Sequence, residues 1–97
     1  MRNLYNGRTE RPVGKSVAFH NVKDAANFVN LYKDLFYKPD KSSCRSRAKN
    51  GFYTMFDSDG DVEVVFTIFK DDWKEINKHV KLRQYGRRCW VFEGTGN

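Results

Sequence analysis

Four residues of this chain belong to types that often carry catalysis or bind metals: His20, Cys44, His79 and Cys89. Imidazoles titrate near neutral pH and can act as an acid and a base, so the two histidines make a small ribonuclease one alternative function. The four residues match no zinc-binding spacing, and no third group is identifiable that would orient the histidines. We therefore expect two reduced thiols, with Cys89 in the core and Cys44 exposed, and no catalytic residue, metal site or cofactor.

Three alternating aspartates, Asp57, Asp59 and Asp61, resemble the carboxylates that open a calcium-binding loop. A calcium loop of that type needs glycine at its sixth position and glutamate at its twelfth, but here Gly60 is fourth and Ile68 is twelfth. An Asp-Gly pair between two strand-like runs is instead typical of a hairpin turn. The pattern therefore predicts a β-hairpin rather than a metal site.

Positive charge is most concentrated at 38–50, a stretch with no large apolar residue except Cys44. Such a segment predicts an exposed basic loop, and a polyanion would offset the repulsion among its cations. We therefore predict a small non-catalytic protein that binds RNA or single-stranded nucleic acid through phosphate contacts. The predicted binding residues are Lys38, Lys41, Arg45, Arg47, Lys49, Arg87 and Arg88.

The formal net charge of +6 is unevenly distributed along the chain. Segment 57–75 holds seven acids and two bases, or −5, and the rest of the chain holds sixteen bases and five acids, or +11. We expect the hairpin tip and the start of the second helix to form one acidic pole. This polarity supports an alternative function, a virus-type accessory protein or inhibitor that docks on a host enzyme or toxin. Its predicted contact residues are Asp57, Asp59, Asp61 and Glu63.

The chain of 97 residues has room for one domain. The run 16–20 predicts a strand, and Asn21 predicts the cap of a helix whose apolar residues recur at three- and four-residue steps up to Pro39. The runs 51–56 and 62–69 predict a strand pair. Asp72 with Glu75 predicts the start of a second helix that ends at Gly86, and 88–93 predicts a last strand.

The order β-α-β-β-α-β indicates an α+β fold of the ferredoxin-like type, with four antiparallel strands and two helices on one face. The expected organisation is a basic irregular arm at 1–15, a single domain at 16–93 that includes the basic loop 38–50, and a tail at 94–97. An exposed edge strand would permit a homodimer. No apolar run approaches the roughly 20 residues that span a bilayer, and the N-terminus lacks a secretory signal, so we expect a cytoplasmic protein with no membrane partner.

Two families share this predicted strand order. The run 17–22 loosely resembles the first-strand hexamer of the RNA-recognition motif, whose third strand carries a basic-glycine-aromatic octamer. The corresponding run 62–69 has no glycine and no basic residue, so the likeness is one of topology and implies no base-stacking platform. Acylphosphatases hold phosphate in a glycine-containing loop with an arginine, whereas this chain has His-Asn-Val-Lys at 20–23.

Overall fold

A computed structural model describes residues 10–37, 51–56 and 59–95. It shows a mixed α+β domain with two α-helices and a five-stranded sheet, whose strand order is β2-β3-β1-β5-β4. The elements follow in the order β1 (Val13–Phe19), α1 (Val22–Tyr32), a 3-10 turn (Lys33–Leu35), β2 (Phe52–Phe56), β3 (Val62–Ile68), α2 (Lys70–Asn77), β4 (Val80–Gly86) and β5 (Cys89–Thr95).

The first half of the chain folds as its local signals predict. The side chain of Asn21 caps α1, because its Oδ1 accepts a hydrogen bond of 2.8 Å from the backbone N–H of Asp24. Strands β2 and β3 pair antiparallel as a hairpin, and Gly60 between them has a φ of 85°. The helix cap and the hairpin predicted at Asp59-Gly60 are therefore confirmed.

The second half differs from the prediction, because the helix expected to reach Gly86 ends at Asn77. The side-chain amide of Asn77 donates to the carbonyl of Trp73 at 2.9 Å, and the N–H of His79 donates to Ile76 at 2.9 Å. These bonds close the last turn of α2. The next seven residues form β4, in which Val80 and Leu82 follow the two-residue period of a strand. Tyr85, which lies within the range of the predicted helix, is exposed on β4.

The extra strand changes the sheet. Strand β5 pairs antiparallel with β4 but parallel with β1, and it lies between the two. The sheet therefore has five strands in mixed directions instead of the predicted four antiparallel strands. The first strand also begins three residues before the predicted start at Ser16, so Val13, Gly14 and Lys15 belong to β1.

The core lies between the two helices and one face of the sheet. Alternate residues of β3 supply the centre of this face, since its burial pattern has a strict period of two. The residues at nine-tenths burial or more in this cluster are Val17, Phe19, Ala25, Phe28, Phe36, Val62, Val64, Phe66, Ile68, Ile76 and Val80. We call the other side the open face, because neither helix packs on it. Within the described ranges, no helix is long and apolar enough to cross a bilayer.

Candidate functional site

A tight turn of two arginines joins β4 to β5. Gly86 pairs with Cys89, which leaves Arg87 and Arg88 as the two loop residues, and both are exposed. The side-chain amide of Gln84 donates to the carbonyls of Gly86 at 2.9 Å and Arg87 at 3.3 Å. The sequence prediction placed Arg87 between a helix and a strand and Arg88 at the start of that strand, whereas the structure places both at the tip of a hairpin.

The arginine turn is fixed to the first strand. The backbone N–H of Ser16 donates to the carbonyl of Arg88 at 2.9 Å, and Ser16 pairs with Cys89 in the parallel ladder. Arg88 is therefore held beside the residue that precedes Ser16 in the chain, Lys15.

Lys15 lies over two indole rings on the helix-covered face of the sheet. Its ammonium is 4.5 Å from the ring centroid of Trp90 and 4.9 Å from that of Trp73. The two rings are themselves 4.9 Å apart and meet edge to face at 61°. Cations over indole faces within about 6 Å are attracted by the ring quadrupole. Three elements thus converge here, because Lys15 comes from β1, Trp73 from α2 and Trp90 from β5.

This group of residues is rich in uncompensated positive charge. Partial burial lowers the pKa of Lys15 below its ordinary value of 10.5, and the nearby charge of Arg88 lowers it further. Among the described residues, no carboxylate forms an ion pair with Lys15, Arg87 or Arg88. We call Lys15, Trp73, Arg87, Arg88 and Trp90 the basic-aromatic patch. A phosphate bound there would relieve the repulsion between its cations.

Sequence reasoning found the two arginines of the patch but missed the other three residues as site residues. The available signal was the alternation of β1, in which Lys15 shares the inward register of Val13, Val17 and Phe19. A lysine in an inward strand position needs a special neighbour, and here that neighbour is the pair of indoles.

Five of the predicted nucleic-acid-binding residues, Lys38, Lys41, Arg45, Arg47 and Lys49, lie outside the described residues. The structure does describe the two residues that flank this segment, Tyr37 and Gly51. Tyr37 donates its N–H to the carbonyl of Thr67 at 2.7 Å, and the N–H of Thr67 donates to the carbonyl of Gly51 at 3.4 Å. Thr67 lies near the end of β3, opposite Gly14 at the start of β1. Both flanking residues therefore lie at the same end of the sheet as the basic-aromatic patch.

The predicted acidic pole is divided in the structure. Asp59 and Asp61 precede β3, whereas the first turn of α2, with Asp71 and Asp72, follows β3. Seven residues of strand separate the two groups, or about 23 Å at about 3.3 Å per residue. The single pole predicted from the sequence is therefore wrong. Asp57, the remaining aspartate of the predicted protein-contact set, lies outside the described residues.

Glu63, the last member of that predicted set, lies on the open face. It pairs across the sheet with Ala18 on one side and Met55 on the other. The hydroxyl of the largely buried Ser16 donates a hydrogen bond to Oε1 of Glu63. Glu63 is thus a carboxylate within the sheet, held by a hydrogen bond to the neighbouring strand.

The two histidines each lie beside a different carboxylate. Nδ1 of His20 is 3.6 Å from Asp61, and Nε2 of His79 is 3.0 Å from Glu75. Cys89 was predicted for the core but is only partly buried, on the open face. Within 10–37, 51–56 and 59–95, no three His, Cys, Asp or Glu residues are grouped so that they could hold a metal ion.

Comparison with known proteins gives no relative: no family model matches the sequence, and no curated protein or solved structure is significantly similar to it.

Proposed function

We propose that this protein is a small non-catalytic binding protein for RNA or single-stranded DNA, and that the basic-aromatic patch is part of its binding surface. The observation that carries the proposal is the placement of Arg87 and Arg88 on a tight, hydrogen-bonded turn beside Lys15 and two partly exposed indoles. Arginines and lysines contact phosphates without reading sequence, and aromatic faces stack on unpaired bases.

The chemistry of the patch favours a single strand over a duplex. In a duplex the bases are already stacked on one another, so an indole has no free base face to contact. Each nucleotide of a single strand offers a phosphate to the cations of the patch and an unpaired base to its indoles. Lys15 can then leave the indole faces for a phosphate, while a base takes its place against Trp73 or Trp90.

The basic segment 38–50 is proposed as the second part of this surface. Its five bases are a prediction from the sequence, and its flanking residues Tyr37 and Gly51 lie at the same end of the sheet as the patch. Phosphate contacts from both parts would make the affinity steeply dependent on salt.

This proposal can be tested by the intrinsic fluorescence of the protein. Both of its two tryptophans belong to the patch, so intrinsic tryptophan fluorescence reports on this site without a label. We expect oligouridylate or oligothymidylate to quench the emission, and a duplex of the same length to quench it less at equal concentration.

The charge contribution is tested with a double variant, Arg87→Gln with Arg88→Gln. Each lost phosphate contact on a single strand lowers the slope of log K against log salt by about 0.7, so the pair should lower it by about 1.4. A matched control is Lys23→Gln with Lys81→Gln, which removes the same charge from two exposed residues at the opposite end of the sheet. Equal slopes for the two double variants would overturn the assignment of the site.

The basic segment is tested in the same titration with Arg45→Gln, Arg47→Gln and Lys49→Gln combined. We expect weaker binding and a flatter salt slope than for the wild type. If this variant binds normally while the Arg87 and Arg88 variant does not, the patch acts alone. If both bind as the wild type does, the protein is not a nucleic-acid-binding protein of this kind.

A further inference from the structure

A concavity on the open face lies on the opposite side of the sheet from Trp73 and Trp90. It has a volume of about 300 Å³, and residues of β1, β2, β3 and β4 line it together with the end of the hairpin. This volume is at the lower limit for a ligand pocket, so it suits a single side chain better than a large ligand.

The concavity arises from one small residue in the middle of a cross-strand row. Met55, Glu63, Ala18, Val91 and Arg83 pair in register across all five strands. Ala18 has the smallest side chain of this row and lies on the central strand, so the surface is lowest there.

Exposed apolar side chains are clustered in the lining of the concavity. Five large hydrophobic residues of the described chain are exposed, and three of them, Phe56 at 67%, Tyr85 at 52% and Met55 at 43%, line this one depression. Clustering of exposed apolar side chains marks an interaction site more reliably than scattered ones do. A register shift between Gln84 and Gly86 leaves Tyr85 as an extra residue of β4, and such bulges re-aim a side chain.

The charge of the concavity is negative. Glu63 lies in it, and the Ser16 hydroxyl fixes one oxygen of this carboxylate. No described residue donates a hydrogen bond to its other oxygen, Oε2. Asp61 contributes a second carboxylate to the rim. The pKa of Tyr85 is raised by burial first and by the charge of Glu63 second, which agrees with the two side chains facing each other across the depression.

We infer that this concavity binds an arginine side chain presented by a protein partner. A guanidinium is planar, stacks on aromatic faces and donates several hydrogen bonds to a carboxylate, which matches the carboxylate of Glu63 with the ring of Tyr85 beside it. An ammonium would pair with the carboxylate but would gain less from the flat ring of Tyr85. The inference does not depend on the proposed nucleic-acid function, because it uses the other face of the sheet.

The first test uses acetyl-arginine amide as the probe and acetyl-citrulline amide as its neutral isostere, with NMR chemical shifts of the Ala18 and Met55 methyl groups as the readout. We expect shifts with the arginine compound at millimolar concentration, and about two- to fivefold weaker binding for the citrulline compound. Equal responses to the two compounds would overturn the inference. So would shifts of the same size, on addition of the arginine compound, for groups beside every other exposed carboxylate.

Two variants localise the effect. Glu63→Gln keeps the shape of the side chain and an acceptor for the Ser16 hydroxyl, and we expect it to weaken arginine binding roughly fivefold. The matched control is Glu93→Gln, a carboxylate on the same open face that is paired with Arg83 at 3.0 Å and lies outside the concavity. Ala18→Leu should fill the depression and abolish binding. Normal binding by either Glu63→Gln or Ala18→Leu would contradict the assigned site.

A last comparison, between a blocked tripeptide and a blocked single arginine, tests whether the site binds a protein segment or only a free guanidinium compound. Met55 and Tyr85 line the concavity and are 43% and 52% exposed, so residues that flank the arginine should contact them. We expect acetyl-Ala-Arg-Ala-amide to bind more tightly than acetyl-arginine amide. Equal affinities would show that the site reads only the guanidinium, and the assignment to a protein segment would be wrong.

Discussion

Replacing Gly51 with alanine should destabilise this fold more than the same change at any other described glycine. Gly51 is the residue at which the chain returns from the basic segment to the sheet, and its φ is +87°, a region that costs residues with a Cβ about 1 to 2 kcal/mol. An added Cβ would also lie 2.7 Å from Cβ and 3.0 Å from the carbonyl oxygen of Phe36.

Phe36 cannot easily move away from that contact. It is 3% exposed, and its ring stacks on Phe66 with the ring centroids 4.5 Å apart. Overpacking of a core site of this kind costs about 1 to 3 kcal/mol. Together the two effects predict a loss of about 2 to 5 kcal/mol for Gly51→Ala. A domain of this size has only about 5 to 15 kcal/mol of stability in total.

Alanine substitutions at two other glycines distinguish the cost of the positive φ from the cost of the contact with Phe36. Gly60 has a φ of +85° but open space around the position of a Cβ, so Gly60→Ala should lose only the backbone cost of about 1 to 2 kcal/mol. Gly14 has neither a positive φ nor a neighbour within 4 Å, so Gly14→Ala should be neutral or stabilise by about 0.4 to 1 kcal/mol. Urea unfolding followed by tryptophan fluorescence gives all three free energies. The reasoning is refuted if Gly51→Ala is no more destabilising than Gly60→Ala.

Two further predictions concern the helix cap and the lysine of the patch. Asn21→Ala should lower the free energy of unfolding by about 0.5 to 2 kcal/mol, whereas Asn30→Ala, an exposed change within α1, should not lower it; equal losses in urea unfolding would contradict the capping role. Because burial and then Arg88 lower the pKa of Lys15 from 10.5, the unfolded chain binds this proton more tightly, and stability should rise with pH between the folded-state pKa and 10.5. Arg88→Gln should raise the pKa of Lys15 towards 10.5 and so narrow the pH range over which stability rises, as measured by an NMR titration of Lys15. A pKa of Lys15 above 10.5 in the folded protein would show that the indole contacts outweigh burial.

The parts of the fold that the sequence predicted correctly are those fixed by local chemistry. Asn21 caps a helix because its own side chain reaches the N–H of Asp24, and Asp59-Gly60 turns the chain because glycine accepts a positive φ. Neither requires knowledge of distant residues. The same locality explains why β3 was predicted, since its alternation is complete within seven residues.

The prediction failed at 80–86, where it had to choose between the periodicity of a helix and that of a strand. Trp73, Ile76 and Val80 fit a helical stripe, but Val80 and Leu82 also fit a strand, and the pairing partner that decides between them is β5. A strand at the edge of a sheet gains its stability from its neighbour, so its own residues need not carry a strong signal. Lys15 was missed for a related reason, because its environment is supplied by α2 and β5 rather than by its neighbours in the chain.

The strand that the sequence prediction missed is also the one that assembles both proposed sites. Because β4 and β5 form a hairpin and β5 joins β1 in parallel, the turn at Arg87 and Arg88 comes to lie beside Lys15, and Trp90 reaches Trp73. The same hairpin places Tyr85 on the open face, where it lines the concavity above Ala18. In a four-stranded sheet, with 80–86 as a helix, neither arrangement could form. A change that weakens the β4–β5 hairpin without unfolding the core should therefore impair nucleic-acid binding and arginine binding together, although the two sites lie on opposite faces of the sheet.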